Sequence, residues 1–455
     1  MTSRQRLCLN QGLPLFDRAA MTAPDPHSHR PLNGNDYRTL GLAALGGALE
    51  FYDFVIFVFF TVVLGQLFFP PDMPDWLRQV QTFGIFAAGY LARPLGGIIM
   101  AHFGDLLGRK RMFTLSIFLM AVPTLLMGLL PTYAAIGIWA PILLLALRIL
   151  QGAAIGGEVP GAWVFVSEHV PSRHVGFACG TLTAGLTAGI LLGSLVATFI
   201  NRSYSPSEIA GWAWRIPFIL GGGFGLLAMY LRRWLHETPV FAELQARKAL
   251  AGELPLKAVL RDHKQAVLLS MLMTWLLSAA IVVMILMTPP LLQKQFGILP
   301  AVTLQANSMA ILALTLGCML AGWIIDRIGA GLTFIAGSLL LGACTHLFYS
   351  DVAAGATHLY AYYTLAGLSV GIVGAVPFVM ICAFPPAVRF TGLSFSYNVA
   401  YAVLGGLTPL MVSLWMKSNP LAPAHYVMAL AGLGVLLGVW LLRLRPQPVL
   451  AVQAA

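Results

Sequence analysis

The sequence predicts an all-α integral membrane protein of twelve transmembrane helices, in two pseudo-symmetric six-helix halves around a central cavity. Three observations predict it. Hydrophobic residues make up 58% of the 455 and charged residues only 10%, well below the ~25% charge of soluble domains. Apolar runs of about 20 residues recur along the chain, each long enough at ~1.5 Å per residue to cross ~30 Å of hydrocarbon. The loops that follow the second and fourth runs return in altered form after the eighth and tenth. Such a composition excludes a cytosolic enzyme, a disordered chain and a secreted disulfide scaffold.

The elements follow in order. Residues 1–38 are a polar leader without the apolar stretch of a signal peptide. Met21 opens a second start, so residues 1–20 read as an over-extended beginning. Apolar spans lie near 41–68, 79–103, 112–130, 141–166, 175–200, 211–231, 264–292, 301–324, 331–349, 358–383, 391–416 and 424–444. Lipid leaves backbone groups no water to bond, so a span must be a helix or part of a closed barrel. The ~10-residue alternation of barrel strands is absent, which selects helices. Residues 39–231 form the first half, 232–263 a cytoplasmic linker, 264–445 the second half and 446–455 a short tail.

Charge placement sets the orientation. Of 27 Lys and Arg, twenty fall on the side of the two termini and five on the other, and Arg93 and Arg148 lie within the hydrocarbon. Under the positive-inside rule both termini are cytoplasmic. The net charge of +10 is therefore topogenic and implies no nucleic-acid partner. Cys179, Cys318, Cys344 and Cys382 sit in apolar runs and Cys8 in the leader, with no C-x-x-C pair, so neither a disulfide framework nor a zinc site is indicated.

The halves echo one another. Gly104-Asp105-Leu106-Leu107-Gly108-Arg109-Lys110 follows the second span, and Gly322-Trp323-Ile324-Ile325-Asp326-Arg327-Ile328-Gly329 follows the eighth. Glu168-His169-Val170-Pro171-Ser172-Arg173 leads to Gly176, as Pro385-Pro386-Ala387-Val388-Arg389 leads to Gly392. The first pair resembles the loop signature of the major facilitator superfamily, with Leu106 at a position usually basic. Four further segments resemble the metabolite:proton symporter family within it: Leu49-Glu50-Phe51-Tyr52-Asp53-Phe54, Ala92-Arg93-Pro94-Leu95-Gly96-Gly97, Glu237-Thr238-Pro239-Val240-Phe241 and Phe384 to Gly392. That resemblance implies secondary active transport driven by a proton gradient, in a bacterial inner membrane. Known members of the family carry organic acids or betaine-like zwitterions.

An ionised side chain at mid-membrane costs ~2.5–3.5 kcal/mol on insertion scales, so each needs a partner or a purpose. Five lie deep within the spans: Glu50, Asp53, Arg93, Arg148 and Glu158. Glu50 and Asp53 are three apart and share a helix face. With Glu158 they are the candidate proton carriers, and a static ion pair with Arg93 is the alternative for Glu50 and Asp53. Arg93 and Arg148 offer forked donors suited to a carboxylate. Gln151 shares a stripe with Arg148 and Glu158, and Tyr52, Tyr397 and Asn398 add hydrogen-bonding groups; these complete the candidate substrate site. For Asn398, glue between helices competes equally with binding. Asp105, Arg109, Asp326, Arg327 and Arg389 are the candidate cytoplasmic gate, in which Asp105 pairs with Arg109 or Arg389. Gly152, Gly156, Gly157 and Gly161 read as close helix packing.

No Ser-His-Asp order, G-x-S-x-G elbow, Walker loop or H-E-x-x-H motif is present. The chain therefore reads as a transporter rather than an enzyme, with no cofactor or metal. Its expected partners are a small solute, protons and the lipid bilayer, and it is expected to work as a monomer. The expected function is proton-coupled uptake of a small polar metabolite, with an organic acid favoured by the two membrane arginines. A zwitterion such as proline or betaine, or export by proton antiport, are the alternatives within transport. A membrane sensor or embedded enzyme is the alternative outside it.

Overall fold

The computed structural model describes residues 30–107, 109–232, 255–416 and 418–443, and no strand occurs among them. The spanning helices are α1 (Gly34–Phe59), α2 (Asp75–Leu107), α3 (Arg109–Leu129), α4 (Trp139–His169), α5 (Val175–Ser203) and α6 (Arg215–Arg232) in the first half. The second half contributes α7 (264–296), α8 (Pro300–Ile328), α9 (Ala330–Ala353), α10 (Leu359–Cys382), α11 (Arg389–Met416) and α12 (Ala422–Arg443). Most of the linker lies outside the described residues, except a short amphipathic helix, Pro255–Asp262.

Helix α1 begins at Gly34, inside the stretch read from sequence as leader. A capping box starts it: Asn33 Oδ1 accepts from Asp36 N at 2.9 Å, and Asp36 Oδ2 accepts from Asn33 N at 2.8 Å. The two reciprocal bonds satisfy N–H groups that any helix start leaves open. Arg30 adds a fork onto the same carboxylate, at 2.5 and 3.0 Å. Hydropathy alone does not report this polar first turn.

Packing is set by small residues. At Gly152 a Cβ would strike the Gly89 backbone, and at Gly156 it would strike Arg93 O. Only glycine therefore allows α4 to lie this close to α2, as the small-residue spacing predicted. Leu91, Leu95 and Ile99 of α2 are 67%, 65% and 47% exposed, a stripe at i, i+4, i+8 that faces lipid. Arg93 and Gly97 on the opposite stripe are buried. Between the halves, α5 packs on α8 and α2 on α11.

Three helices of the second half leave regular winding in mid-span. Helix α7 has a π-helical turn at Val282–Met287, α10 a 3-10 turn at Gly371–Ala375, and α11 a π-helical turn at Tyr401–Gly405. Hydroxyls take up the carbonyls freed in α7. Thr288 Oγ1 donates to Val283 O at 2.8 Å, and Tyr363 Oη donates to Met284 O at 2.7 Å. Such turns recur at functional sites, and here those of α10 and α11 lie against α5 and α2 of the first half.

Candidate functional site

Arg93 stands at the seam between the halves. Its guanidinium carbon lies 4.3 Å from the ring centre of Tyr401, 5.4 Å from Tyr397, 5.5 Å from Tyr90 and 6.0 Å from Phe54. The rings come from α1, α2 and α11, so both halves contribute. They brace each other: Tyr90 stacks on Tyr401 with centres 5.7 Å apart, and Trp163 meets Tyr397 edge-on at 5.1 Å. Trp163 is fixed in turn by donating from Nε1 to Thr183 Oγ1 at 3.1 Å. Arg93 is 1% exposed, yet its Nε and Nη2 have no hydrogen-bond acceptor.

A second cluster lies beside it within the first half. Arg148 Nη1 donates to Phe54 O at 3.3 Å and to Gln151 Oε1, and its guanidinium faces the rings of Phe54, Phe57 and Phe86 at 4.3–5.1 Å. Nε and Nη2 of Arg148 are again without acceptors. Gln151 Nε2 donates to Asp53 O at 3.1 Å and to Thr124 Oγ1 at 2.8 Å, which ties α4 to α1 and α3.

The Asp53 side chain turns toward α6, where Gly221 and Gly225 leave room for its two oxygens. It is fully buried, and neither oxygen accepts a hydrogen bond. Asp53 thus makes no ion pair with Arg93, which was the alternative reading for this carboxylate. The glycine run at 221–225 could have signalled this chamber, since glycines four apart clear one face of a helix.

The remaining candidates separate. Glu158 is buried and accepts from Ser116 Oγ of α3. Glu50 is likewise buried on α1. Tyr52 turns away from the ring cluster: its hydroxyl donates to Pro217 O at 2.9 Å, and its ring meets Phe224 edge-on. Asn398 acts as glue, because Nδ2 donates to Gly156 O at 2.6 Å and to Ser394 O at 2.8 Å. Ser394 Oγ reinforces the join by donating to Gly97 O at 3.0 Å. Tyr401, which with Tyr397 and Asn398 offers a hydrogen-bonding group on the eleventh span, joins the cluster, whereas Tyr90, Trp163 and Ser394 are site residues that the sequence reading did not reach; aromatic residues are common in apolar spans, so their convergence leaves no pattern in sequence.

At the end of the bundle that carries the basic loops, two contacts join the halves. Asp326 of α8 accepts from Gly176 N and Phe177 N, both at 2.7 Å, at the first turn of α5. A carboxylate at a helix N-terminus meets open N–H groups and the positive end of the helix dipole. Arg389 of α11 donates to Glu168 Oε1 of α4 at 3.2 Å. Among the gate candidates, then, Asp326 and Arg389 bridge the halves. Glu168, which the sequence reading did not include in the gate, is a partner of Arg389. Arg327 lies 3.6 Å over Trp323 on its own helix. The side chains of Asp105 and Arg109 lie outside the described residues.

Comparison with known proteins agrees with this architecture. The family model "Major Facilitator Superfamily" matches residues 43–409. A putative proline/betaine transporter of Staphylococcus aureus (strain COL) is 30% identical over 411 residues, covering 88% of this chain and 86% of the relative. The glycine betaine/proline/ectoine/pipecolic acid transporter OusA of Dickeya dadantii is 30% identical over 452 residues, covering 90% of this chain and 84% of its own length. The fold matches the structure of the proton:xylose symporter XylE with a TM-score of 0.74 at 17% identity, over 90% of this chain and 96% of that one. With its twelve helices in two halves and a family match over most of its length, this chain belongs to the Major Facilitator Superfamily of membrane transporters.

Proposed function

We propose that this protein is a proton-coupled symporter that takes up a small zwitterion by alternating access, working as a monomer. The observation that carries the reading is Arg93: a buried guanidinium at the seam of the halves, with Nε and Nη2 lacking acceptors. Two such donors suit the carboxylate of a solute. The two membrane arginines by themselves favour an organic acid. The names of the relatives, given for proline, betaine and similar solutes, support a zwitterion instead.

Asp53 is assigned the coupled proton. A buried carboxylate with neither donor nor cation is strongly disfavoured, so this arrangement suits the neutral acid. Arg148, joined to the Asp53 backbone through Gln151, is the cation that would receive the charged form. Solute at Arg93 and proton at Asp53 would then be taken up together. The Asp326 and Glu168–Arg389 contacts would hold the basic, cytoplasmic end closed until both sites are loaded. Two-state rocking of one half against the other is how duplicated transporters expose a central site alternately.

The test is uptake into proteoliposomes under an imposed pH gradient, acidic outside, with labelled glycine betaine, proline and citrate. The reading predicts gradient-driven accumulation of a zwitterion that a protonophore abolishes. Citrate accumulation without zwitterion uptake, or expulsion of zwitterion as protons enter, would overturn it.

A further inference from the structure

We infer that Phe54, Tyr90, Tyr397 and Tyr401 form a cage for the alkylated ammonium end of the substrate, which the Arg93 guanidinium fills as an internal stand-in until substrate arrives. The inference rests on the zwitterion reading above and adds to it the class of cationic head group and the residues that select it.

The geometry is that of a cation among ring faces. Four rings surround one guanidinium carbon at 4.3–6.0 Å, and a ring attracts a cation within about 6 Å of its centre. A guanidinium is weakly hydrated and stacks readily, which makes it a tolerable occupant. Ring faces surround it, the Tyr397 and Tyr401 hydroxyls accept from it, and Nε and Nη2 still find no acceptor. A solute bearing both charges answers both deficits at once. Its ammonium takes over the rings, and its carboxylate accepts from the guanidinium nitrogens as Arg93 moves aside.

The cage also discriminates. A primary ammonium carries three N–H donors, each of which loses water on entry and needs an acceptor. Ring faces do not replace three such bonds. A trimethylammonium has no N–H to satisfy, so it loses nothing of this kind and keeps the attraction to the rings. Solutes methylated or ring-closed at nitrogen are therefore preferred over simple amino acids. Because Tyr401 opens the π-helical turn of α11 and Tyr397 lies one turn earlier, exchange of one cation for the other also bears on the winding of a second-half helix.

The experiment is binding of glycine betaine, N,N-dimethylglycine, N-methylglycine, glycine and citrate to the purified full-length protein by titration calorimetry. The unsubstituted protein should weaken stepwise from glycine betaine to glycine, by at least about tenfold in total. Tyr401→Leu should compress that span to below about threefold, whereas Tyr401→Phe, which keeps the ring, should preserve the ranking. Equal binding of all four amino-acid ligands, or an unchanged ranking in both Tyr401→Leu and Tyr90→Leu, would overturn the cage and leave the zwitterion reading standing. Binding of citrate with none of the four would overturn that reading and the cage together.

Discussion

The two halves share a fold and divide the chemistry. Every buried charged side chain among the described residues belongs to the first half, including Glu50, Asp53, Arg93, Arg148 and Glu158. Buried polar groups of the second half are hydroxyls and amides, such as Thr288, Asn307, Ser394 and Asn398. The second half instead departs from regular winding in mid-span, in α7, α10 and α11, whereas the π-helical turn of the first half, Ile209–Ala213, precedes α6. Charges in lipid require fixed surroundings, and the tight α2–α4 contact at Gly152 and Gly156 supplies them. Irregular turns require hydroxyls to absorb freed carbonyls, and Thr288 and Tyr363 do so. A duplicated fold can thus assign ion handling to one copy and deformability to the other.

Substitutions can break this division. The largest effect is expected at Arg93, where Arg93→Gln removes the paired donors offered to the solute carboxylate. At about 1.5–3 kcal/mol for each hydrogen bond to a charged group, uptake at low substrate should fall by roughly 100-fold or more. Asp326→Asn comes next. It weakens the anchor of α8 on the start of α5, which at ~1–2 kcal/mol shifts the two-state equilibrium by about tenfold. Faster alkylation of Cys382 in inverted vesicles would report the opening. An unchanged rate would assign Asp326 to stability alone.

Tyr363→Phe addresses the deformable half. It leaves Met284 O, in the π-helical turn, without its donor, so the thermal midpoint should fall with a loss of about 1–3 kcal/mol. An unchanged midpoint would mean that the turn does not depend on that bond. The smallest stability effect is expected at Asp53→Asn. Neither carboxylate oxygen has a donor to lose, so the midpoint should stay or rise. A large drop would show that the charged form holds the bundle together.

Much of this division was legible in the sequence. Spans of sufficient length, the repeated loops and five charges in the hydrocarbon give the twelve helices, the duplication and the first-half bias of the charges. The start of α1 was not, because a capping box is polar and hydropathy assigns it to a loop. Nor was the surrounding of Arg93. A charge in a span calls for an opposite charge, yet the fold supplies rings from three helices, and no spacing along one helix encodes a cluster assembled from several. Asn398 shows the same limit. Its amide suits a ligand or a neighbouring backbone equally, and only the approach of Gly156 decides for the backbone.

The central claim is that the first half couples solute movement to a proton on Asp53. It is tested most directly by Asp53→Asn in proteoliposomes, comparing accumulation driven by a pH gradient with exchange of internal for external glycine betaine. The account predicts that exchange continues while gradient-driven accumulation falls to the level seen without a gradient. Accumulation that survives undiminished in Asp53→Asn would contradict it.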